Sequence, residues 1–389
     1  MSNWKKCRLG DACVTNTYTY SPKEDWGFVN YLDTGNITDN RIDSIQYIDV
    51  QNEKLPSRAR RKVKTNSIIY STVRPNQRHF GIIKTQPENF LVSTGFAVID
   101  VNDKVLNPDF VYYSLTQDTI VKKLHAIAEQ STSAYPSIKP SDIEDLEIDI
   151  PDIATQKKIA EILRCLDDKI GLNNRIIANL EQQAQAIFKH LIADIQEDVP
   201  FTSVIQVLGG GTPKTEKKEY WNGEIPFFTP KDVDSPYVLT TEKNITSLGL
   251  DNCNSRLYPV NTVFLTARGT VGKISLAGVP MSMNQSCYAL IGKNELHQIV
   301  VYQYTLEIIK NLKHKATGAV FDAIITRDFD TESVPALSSR QLDYYVLVAE
   351  PMYKEILNRT FENRNLAALR DALLPKLMSG EIDVSAVKI

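Results

Sequence analysis

Cysteine and histidine are scarce in this chain of 389 residues, with five histidines and five cysteines. The cysteines, Cys7, Cys13, Cys165, Cys253 and Cys287, are odd in number and form no Cys-x-x-Cys pair, and the histidines stand apart from one another. That pattern argues against a disulfide framework and against a zinc site, and leaves reduced thiols as the expectation. Long apolar runs are also missing, since none approaches the roughly 20 residues of a membrane span. The opening Met1-Ser2-Asn3-Trp4-Lys5-Lys6-Cys7 has no apolar signal core, so a cytoplasmic protein is expected. Excess charge is lacking too. A net charge of -3 does not announce a nucleic-acid binder.

What is present is an apolar content of 42%, enough over this length for two or three domains with cores of their own. The chain is written twice. Thr65-Asn66-Ser67-Ile68-Ile69-Tyr70 answers Val260-Asn261-Thr262-Val263-Phe264-Leu265, and Val92-Ser93-Thr94-Gly95-Phe96-Ala97-Val98 answers Asn284-Gln285-Ser286-Cys287-Tyr288-Ala289-Leu290. Ala134-Tyr135-Pro136-Ser137-Ile138 then answers Val320-Phe321-Asp322-Ala323-Ile324, and this offset of 186 also carries Ile170 onto Ile356, Leu180 onto Leu366 and Leu191 onto Leu377. A period this long means a duplicated domain, not a solenoid. Tyr135 and Phe321, equivalent aromatics, are expected to pack in the two cores.

Residues 1–150 read as strands and loops with a short helix near 108–128, and residues 198–337 form a second globular half. Between them, in 151–197, Ile159, Leu163, Leu166, Ile170, Asn173, Ile177, Leu180, Ala184, Ile187 and Leu191 recur at steps of four and three. This is a coiled-coil seam with one polar member, Asn173, of the kind that fixes register. Asp152 or Thr155 can cap the helix, which would be about 60 Å long. A second helix is expected in 338–389, with Ile356, Leu366, Leu373 and Leu377 on its seam, Arg359 and Asn363 as polar members, and Pro351 kinking or splitting it. The expected fold is mixed, α/β or α+β. Two globular domains would sit at the ends of two long antiparallel helices, related by a pseudo-twofold repeat.

Chemistry of the chain's own has little support. Asn107-Pro108-Asp109-Phe110 has the flavour of the loop with which adenine methyltransferases hold a flipped base, but it lacks the second proline and no glycine-rich strand-turn-helix precedes it, so a helix start is the better reading. Gly209-Gly210-Gly211-Thr212-Pro213 lacks the Gly-Lys-Ser/Thr ending of a phosphate loop, and Lys214 follows a proline that cannot open the amide nest; a tight loop is expected. Pro151-Asp152 with Gln156 and Lys158 places its polar groups on a helical turn, not on a strand, and does not make a nuclease metal site. No Ser, Cys or His has an assignable general base.

Charge is, however, unevenly spread. Lys54, Arg58, Arg60, Arg61, Lys62 and Lys64 fall in eleven residues without a carboxylate, while Asp142, Glu144, Asp145, Glu147, Asp149 and Asp152 crowd another eleven. A local basic strip can grip phosphates even on a slightly acidic chain.

Over essentially its whole length the chain resembles the specificity subunits of type I restriction-modification enzymes. The resemblance is carried by Trp4-Lys5-Lys6 through Leu9-Gly10-Asp11, Tyr31-Leu32-Asp33-Thr34-Gly35-Asn36-Ile37, Pro56-Ser57-Arg58 through Lys64, Tyr70-Ser71-Thr72-Val73-Arg74-Pro75-Asn76, Gly211-Thr212-Pro213, Tyr220-Trp221-Asn222-Gly223-Glu224-Ile225-Pro226, Asn284-Gln285-Ser286-Cys287-Tyr288 and Leu369-Arg370-Asp371 through Gly380-Glu381-Ile382. It implies a non-catalytic reader of double-stranded DNA: two target-recognition domains for a split sequence, and a helical spacer that docks two methyltransferase subunits. S-adenosylmethionine would then belong to those partners, and ATP and magnesium to a separate translocase-nuclease subunit, with no cofactor on this chain. In the first domain Arg58, Arg60, Arg61, Lys62 and Lys64 would hold the DNA backbone, and Arg74, Asn76 and Arg78 would reach base edges. In the second, Arg268, Thr270 and Lys273 would read, and Lys214 and Lys217 would hold phosphates. The rival readings are a stand-alone adenine methyltransferase or restriction enzyme, and a helical scaffold that binds no DNA.

Overall fold

The computed structural model describes residues 4–21, 23–131, 135–233, 236–315 and 323–387. It divides into two compact units, one made of Met1–Asp168 and Leu366–Ile389, the other of Lys169–Asn365. Among the described residues no helix is long and apolar enough to cross a membrane.

In the first unit Phe96–Val101 forms a strand with five of its six residues buried, Asp100 among them. Antiparallel neighbours Cys13–Thr15 and Ile68–Ser71 flank it, and Phe80–Ile82 completes a four-stranded sheet. Side chains alternate across a strand. Phe96 and Val98 therefore enter one core with Leu32 and Val92, and Ala97 and Ile99 enter another with Phe110, Leu124 and Leu163. A strand covered on both faces has little polar side to show, which is why Phe96–Ile99 reads as an unbroken apolar run. A second sheet, ordered Gln46–Asp49, Phe28–Leu32, Phe90–Ser93, Ala59–Lys62, contributes Leu32, Phe90 and Val92 to the first of these cores. Helices supply the other core. The single helix expected near 108–128 is two, Pro108–Thr116 and Asp118–Glu129, because Gln117 leaves the helical region at ψ 136°. Asn107 caps the first of them by accepting the Phe110 N–H at 3.0 Å, so Asn-Pro-Asp-Phe is a helix start.

The second unit repeats this frame. Its sheet is ordered Ile205–Gly209, Cys287–Gly292, Val263–Thr266, Ile274–Ala277, with Tyr237–Val238 added at the edge. Phe264 and Ala289 enter one core, and Val263, Leu265 and Leu290 the other. One sequence equivalence needs correcting. Phe96 pairs with Ser71 as Cys287 pairs with Thr266, so Phe96 answers Cys287 and not Tyr288. The aromatic match misled: a slip of one residue turns every side chain to the wrong face. The offset of 186 holds elsewhere. The Lys139 N–H donates to Asp142 Oδ2 at 2.7 Å and the Ile325 N–H to Asp328 Oδ2 at 2.8 Å, the same cap in both copies. Val320, Phe321 and Asp322 lie outside the described residues.

Both long helices form, as Ile153–Ile192 and Ser339–Met378. Asp152 starts the first, accepting the Ala154 and Thr155 N–H groups at 3.0 Å and the Thr155 hydroxyl at 2.7 Å. The Thr155 hydroxyl and these amides hold its carboxyl below the usual range. Gln156 is buried, accepting the Asn107 N–H at 2.9 Å and donating to the Pro151 carbonyl at 3.0 Å, and Lys158 donates to the Ser385 carbonyl at 2.8 Å.

In the first unit Ile159 and Leu163 of one helix share a core with Leu374 and Leu377 of the other, and Asp167 meets Arg370. In the second unit Ile177, Ala184 and Phe188 share a core with Tyr345, Ala349, Tyr353 and Ile356. Rising numbers on one helix meet falling numbers on the other, so the pairing in each unit is antiparallel. Of the expected seam, Leu166, Ile170, Leu180, Ile187, Leu191, Leu366 and Leu373 are half-buried, while Phe188 and Leu374, beside Ile187 and Leu373, are buried. Asn173 is fully buried and fully satisfied. Its Nδ2 donates to Glu362 Oε2 and Asn363 Oδ1, both at 2.9 Å, and its Oδ1 accepts from Arg359 at 3.1 Å.

Pro351 does not split its helix. The carbonyl that loses its donor is that of Leu347, and Leu347 and Pro351 are both exposed, so solvent can replace the missing N–H.

Candidate nucleic-acid interface

The basic strip is less available than its charges promise. Residues Ala59–Lys62 form a strand, paired with Phe90–Ser93 on one side and bridged to Thr19 on the other. Lys62 is bound to Glu24 and lies 5.0 Å over the Trp26 ring. Lys64 sits 3.8 Å from the buried carboxylate of Asp100. The Nε of Arg61 is buried without a hydrogen-bond partner, and burial pulls the guanidinium down from its ordinary value. Arg61 and Lys62 are thus engaged within the fold, and Lys64 is paired with its side chain still largely in solvent. Arg58 is exposed and Arg60 half-exposed, and neither has an ion-pair partner among the described residues.

The loop after strand Ile68–Ser71 divides in the same way. Arg78, expected at base edges, is a clamp. It donates to Asp39 at 2.7 Å, to Asp118 at 3.0 Å and to the Thr116 carbonyl at 3.2 Å, and it covers Phe80 at 5.2 Å. Arg78→Ala should therefore cost about 2 kcal/mol of stability, read by urea unfolding, since three charge-assisted bonds go with it. Arg74 and Asn76 stay exposed, and Arg74 takes a left-handed backbone at φ 48°. Its guanidinium lies 5.3 Å over the ring of Tyr135. Tyr135 is 60% exposed and is no core residue, which corrects the expectation from equivalence; Phe321 lies outside the described residues. Ser137 bridges to Val73 beside it, and the Tyr135 ring meets the Arg74 guanidinium with most of its surface in solvent.

Backbone bonds tie these pieces into one surface. The Thr94 N–H donates to the Arg58 carbonyl and the Thr72 N–H to Gly95, both at 2.8 Å. The Ile138 N–H donates to Thr72 at 2.8 Å, and the Arg74 N–H to Pro136 at 2.9 Å. Arg58, Thr94, Arg74 and Tyr135 thus share one edge, with Arg60 next along the strand.

The second unit repeats two of these bonds. The Ala267 N–H donates to Ser286 at 2.8 Å as Thr72 does to Gly95, and the Ile324 N–H donates to Ala267 at 2.9 Å as Ile138 does to Thr72. Gly269 stands at the position of Arg74 and is also left-handed, at φ 79°. Arg268, Thr270 and Lys273 are all exposed on this loop. The Thr212 hydroxyl reaches Gln285, so the Gly209–Pro213 loop joins the same edge. That loop is tight, as expected: a Cβ on Gly211 would stand 2.7 Å from the Asn254 nitrogen, and one on Gly210 would collide with the Asn284 carbonyl. Lys214 is exposed; Lys217 pairs with Glu219 at 3.5 Å in solvent.

Sequence reading missed Tyr135, Thr94 and Gln285 as parts of this edge. The signal was there, because the two matched segments 92–98 and 134–138 both carry equivalents in the second half, yet their convergence is a tertiary fact. Among the described residues no His, Cys, Asp or Glu group could hold a metal ion.

A family model described as the type I restriction modification DNA specificity domain matches residues 1–182 and 196–336. The HindI type I restriction enzyme specificity subunit of Haemophilus influenzae is 24% identical over 98% of this chain and 100% of its own length. The MjaIX specificity subunit of Methanocaldococcus jannaschii is 35% identical over 30% of this chain and 28% of its own. Among solved structures, the S subunit of a type I restriction-modification system from M. genitalium covers 97% of this chain and 96% of its own, with a TM-score of 0.58 at 15% identity, a likeness of fold.

Proposed function

Because this chain belongs to the type I restriction-modification DNA specificity family, and is a non-catalytic DNA sequence-specificity subunit, we propose that its two equivalent edges read the two parts of a split DNA target. The observation that carries this reading is the repeated junction: the same backbone bonds hold exposed polar side chains beside Thr72 and beside Ala267. Unlike residues on a like frame are what two unlike half-sites call for.

In the first unit Arg58 and Arg60 hold phosphates and Arg74, Asn76 and Tyr135 face the bases. In the second, Arg268, Thr270 and Gln285 face the bases and Lys214 holds a phosphate. The paired helices act as the spacer between the reading edges and dock two methyltransferase subunits. These would bring S-adenosylmethionine and methylate adenine, while a restriction subunit would bring ATP and magnesium, all in the cytoplasm. A chain of net charge -3 leaves much of the phosphate attraction to such partners.

The direct experiment maps methylated adenines on DNA exposed to the assembled complex. A four-residue insertion beside Asn173 adds about 6 Å of helix. It should change the accepted spacer between the half-sites and leave the half-sites unchanged; an unaltered spacer preference removes the helices from that role. Arg74→Ala should lower discrimination at one half-site by about 1–3 kcal/mol with unfolding stability unchanged, the reverse of Arg78→Ala.

A further inference from the structure

Beside the loop of Arg268 and Thr270 the second unit holds a cavity of about 590 Å³. Lys273 of that loop and Lys310, Lys313 and His314 of helix Gln298–Lys315 line it, over an apolar floor of Leu306 and Ile309. Lys310 and Lys313 are three residues apart on the helix and so share a face. Lys313 is anchored, its Nζ donating to the Gly272 carbonyl at 3.1 Å. Burial, and then the neighbouring Lys273, pull its ammonium below the ordinary lysine value. Lys273, Lys310 and Lys313 have no ion pair among the described residues, whereas the next lysine, Lys315, is neutralised by the buried Glu332 at 2.5 Å. Three cations kept together without a carboxylate are mutually unfavourable, and an anion in the cavity relieves them.

We propose that this cavity takes a DNA backbone phosphate flanking the bases read by the second unit, held by Lys273, Lys310 and Lys313. The inference rests on the reading of that loop as a base-reading edge. Lysine suits the task, a point charge without the fork that reads base edges. An acidic segment of a partner protein is the competing occupant. The shared loop decides for DNA, because whatever lies against Arg268 and Thr270 passes Lys273 on the same loop.

The test uses the full chain in its assembled complex, with Lys273→Gln and Lys310→Gln, both at exposed positions, and measures affinity against salt for target and scrambled duplexes. Each substitution should lower the slope of log affinity against log salt by roughly 0.9, weaken both duplexes alike and leave the preferred sequence unchanged. Lys310→Arg should restore the slope. An unchanged slope with sequence-specific binding intact overturns the phosphate site and leaves the function standing. So does a loss confined to assembly with partner subunits, which gives the cavity to a protein. If the unsubstituted complex fails to distinguish target from scrambled DNA, the reading on which the site rests falls first.

Discussion

Asp167→Ala is expected to cost about 3 kcal/mol of folding stability, because it strands a guanidinium that the first unit has taken out of water. Asp167 accepts the Tyr113 hydroxyl at 2.7 Å and the Arg370 guanidinium at 2.8 Å, with the two charged side chains 22% and 24% exposed. Burial opposes the charge on Arg370, yet Asp167, with help from Asp371, holds its protonated form above the ordinary value. Asp371 is largely in solvent and cannot replace Asp167. The companion variant carries Asp167→Ala together with Arg370→Met. Removing both charges exchanges an ion pair for apolar packing, so most of the loss should return. Urea unfolding of the two variants checks this. A single substitution that costs under about 1 kcal/mol would show the pair to behave as a surface bridge.

Phe188→Ala should cost about 3–5 kcal/mol in the second unit. The ring is fully buried and meets two aromatic edges, Tyr304 at 5.5 Å and 79° and Tyr345 at 5.0 Å and 67°. These geometries add to the area term. Loss of the ring leaves both tyrosine edges without their partner. Ile187→Ala, by contrast, concerns a half-buried side chain and should cost clearly less. Equal losses from the two would overturn the assignment of Phe188 to the core.

That contrast measures what the sequence discloses. The four-and-three spacing places the buried stripe of the first helix within one residue, and finds Asn173 as its polar member before any partner is known. It cannot tell Ile187 from Phe188, because a turn of 3.6 residues drifts against the stripe and the partner surface decides which neighbour is enclosed. The duplicated frame is legible for the same reason that fully covered strands are: Ile68–Ser71 and Val263–Thr266 must be apolar on both faces.

The interface is legible only in part. Lys62, Lys64 and Arg78 look like Arg58 and Arg74 in a list of charges. Their partners lie far along the chain, Glu24 at 38 residues from Lys62, and Asp39 and Asp118 at 39 and 40 from Arg78. A local excess of one sign is neutralised by carboxylates that only the fold brings in. Conversely, Lys310 and Lys313 escape notice because they sit in a mixed helical sequence, and only the fold sets them beside Lys273 at one cavity.

The two units differ in how they are drawn from the chain. The second is one continuous stretch, Lys169–Asn365, whereas the first needs Leu366–Ile389 to complete the core around Leu163 and Leu124. During synthesis on the ribosome the unit encoded later therefore has all its residues in hand before Leu366 onward, which the unit encoded earlier needs for its core, has been made. A nascent chain arrested before Leu374 would carry every residue of the second head and an unfinished first one.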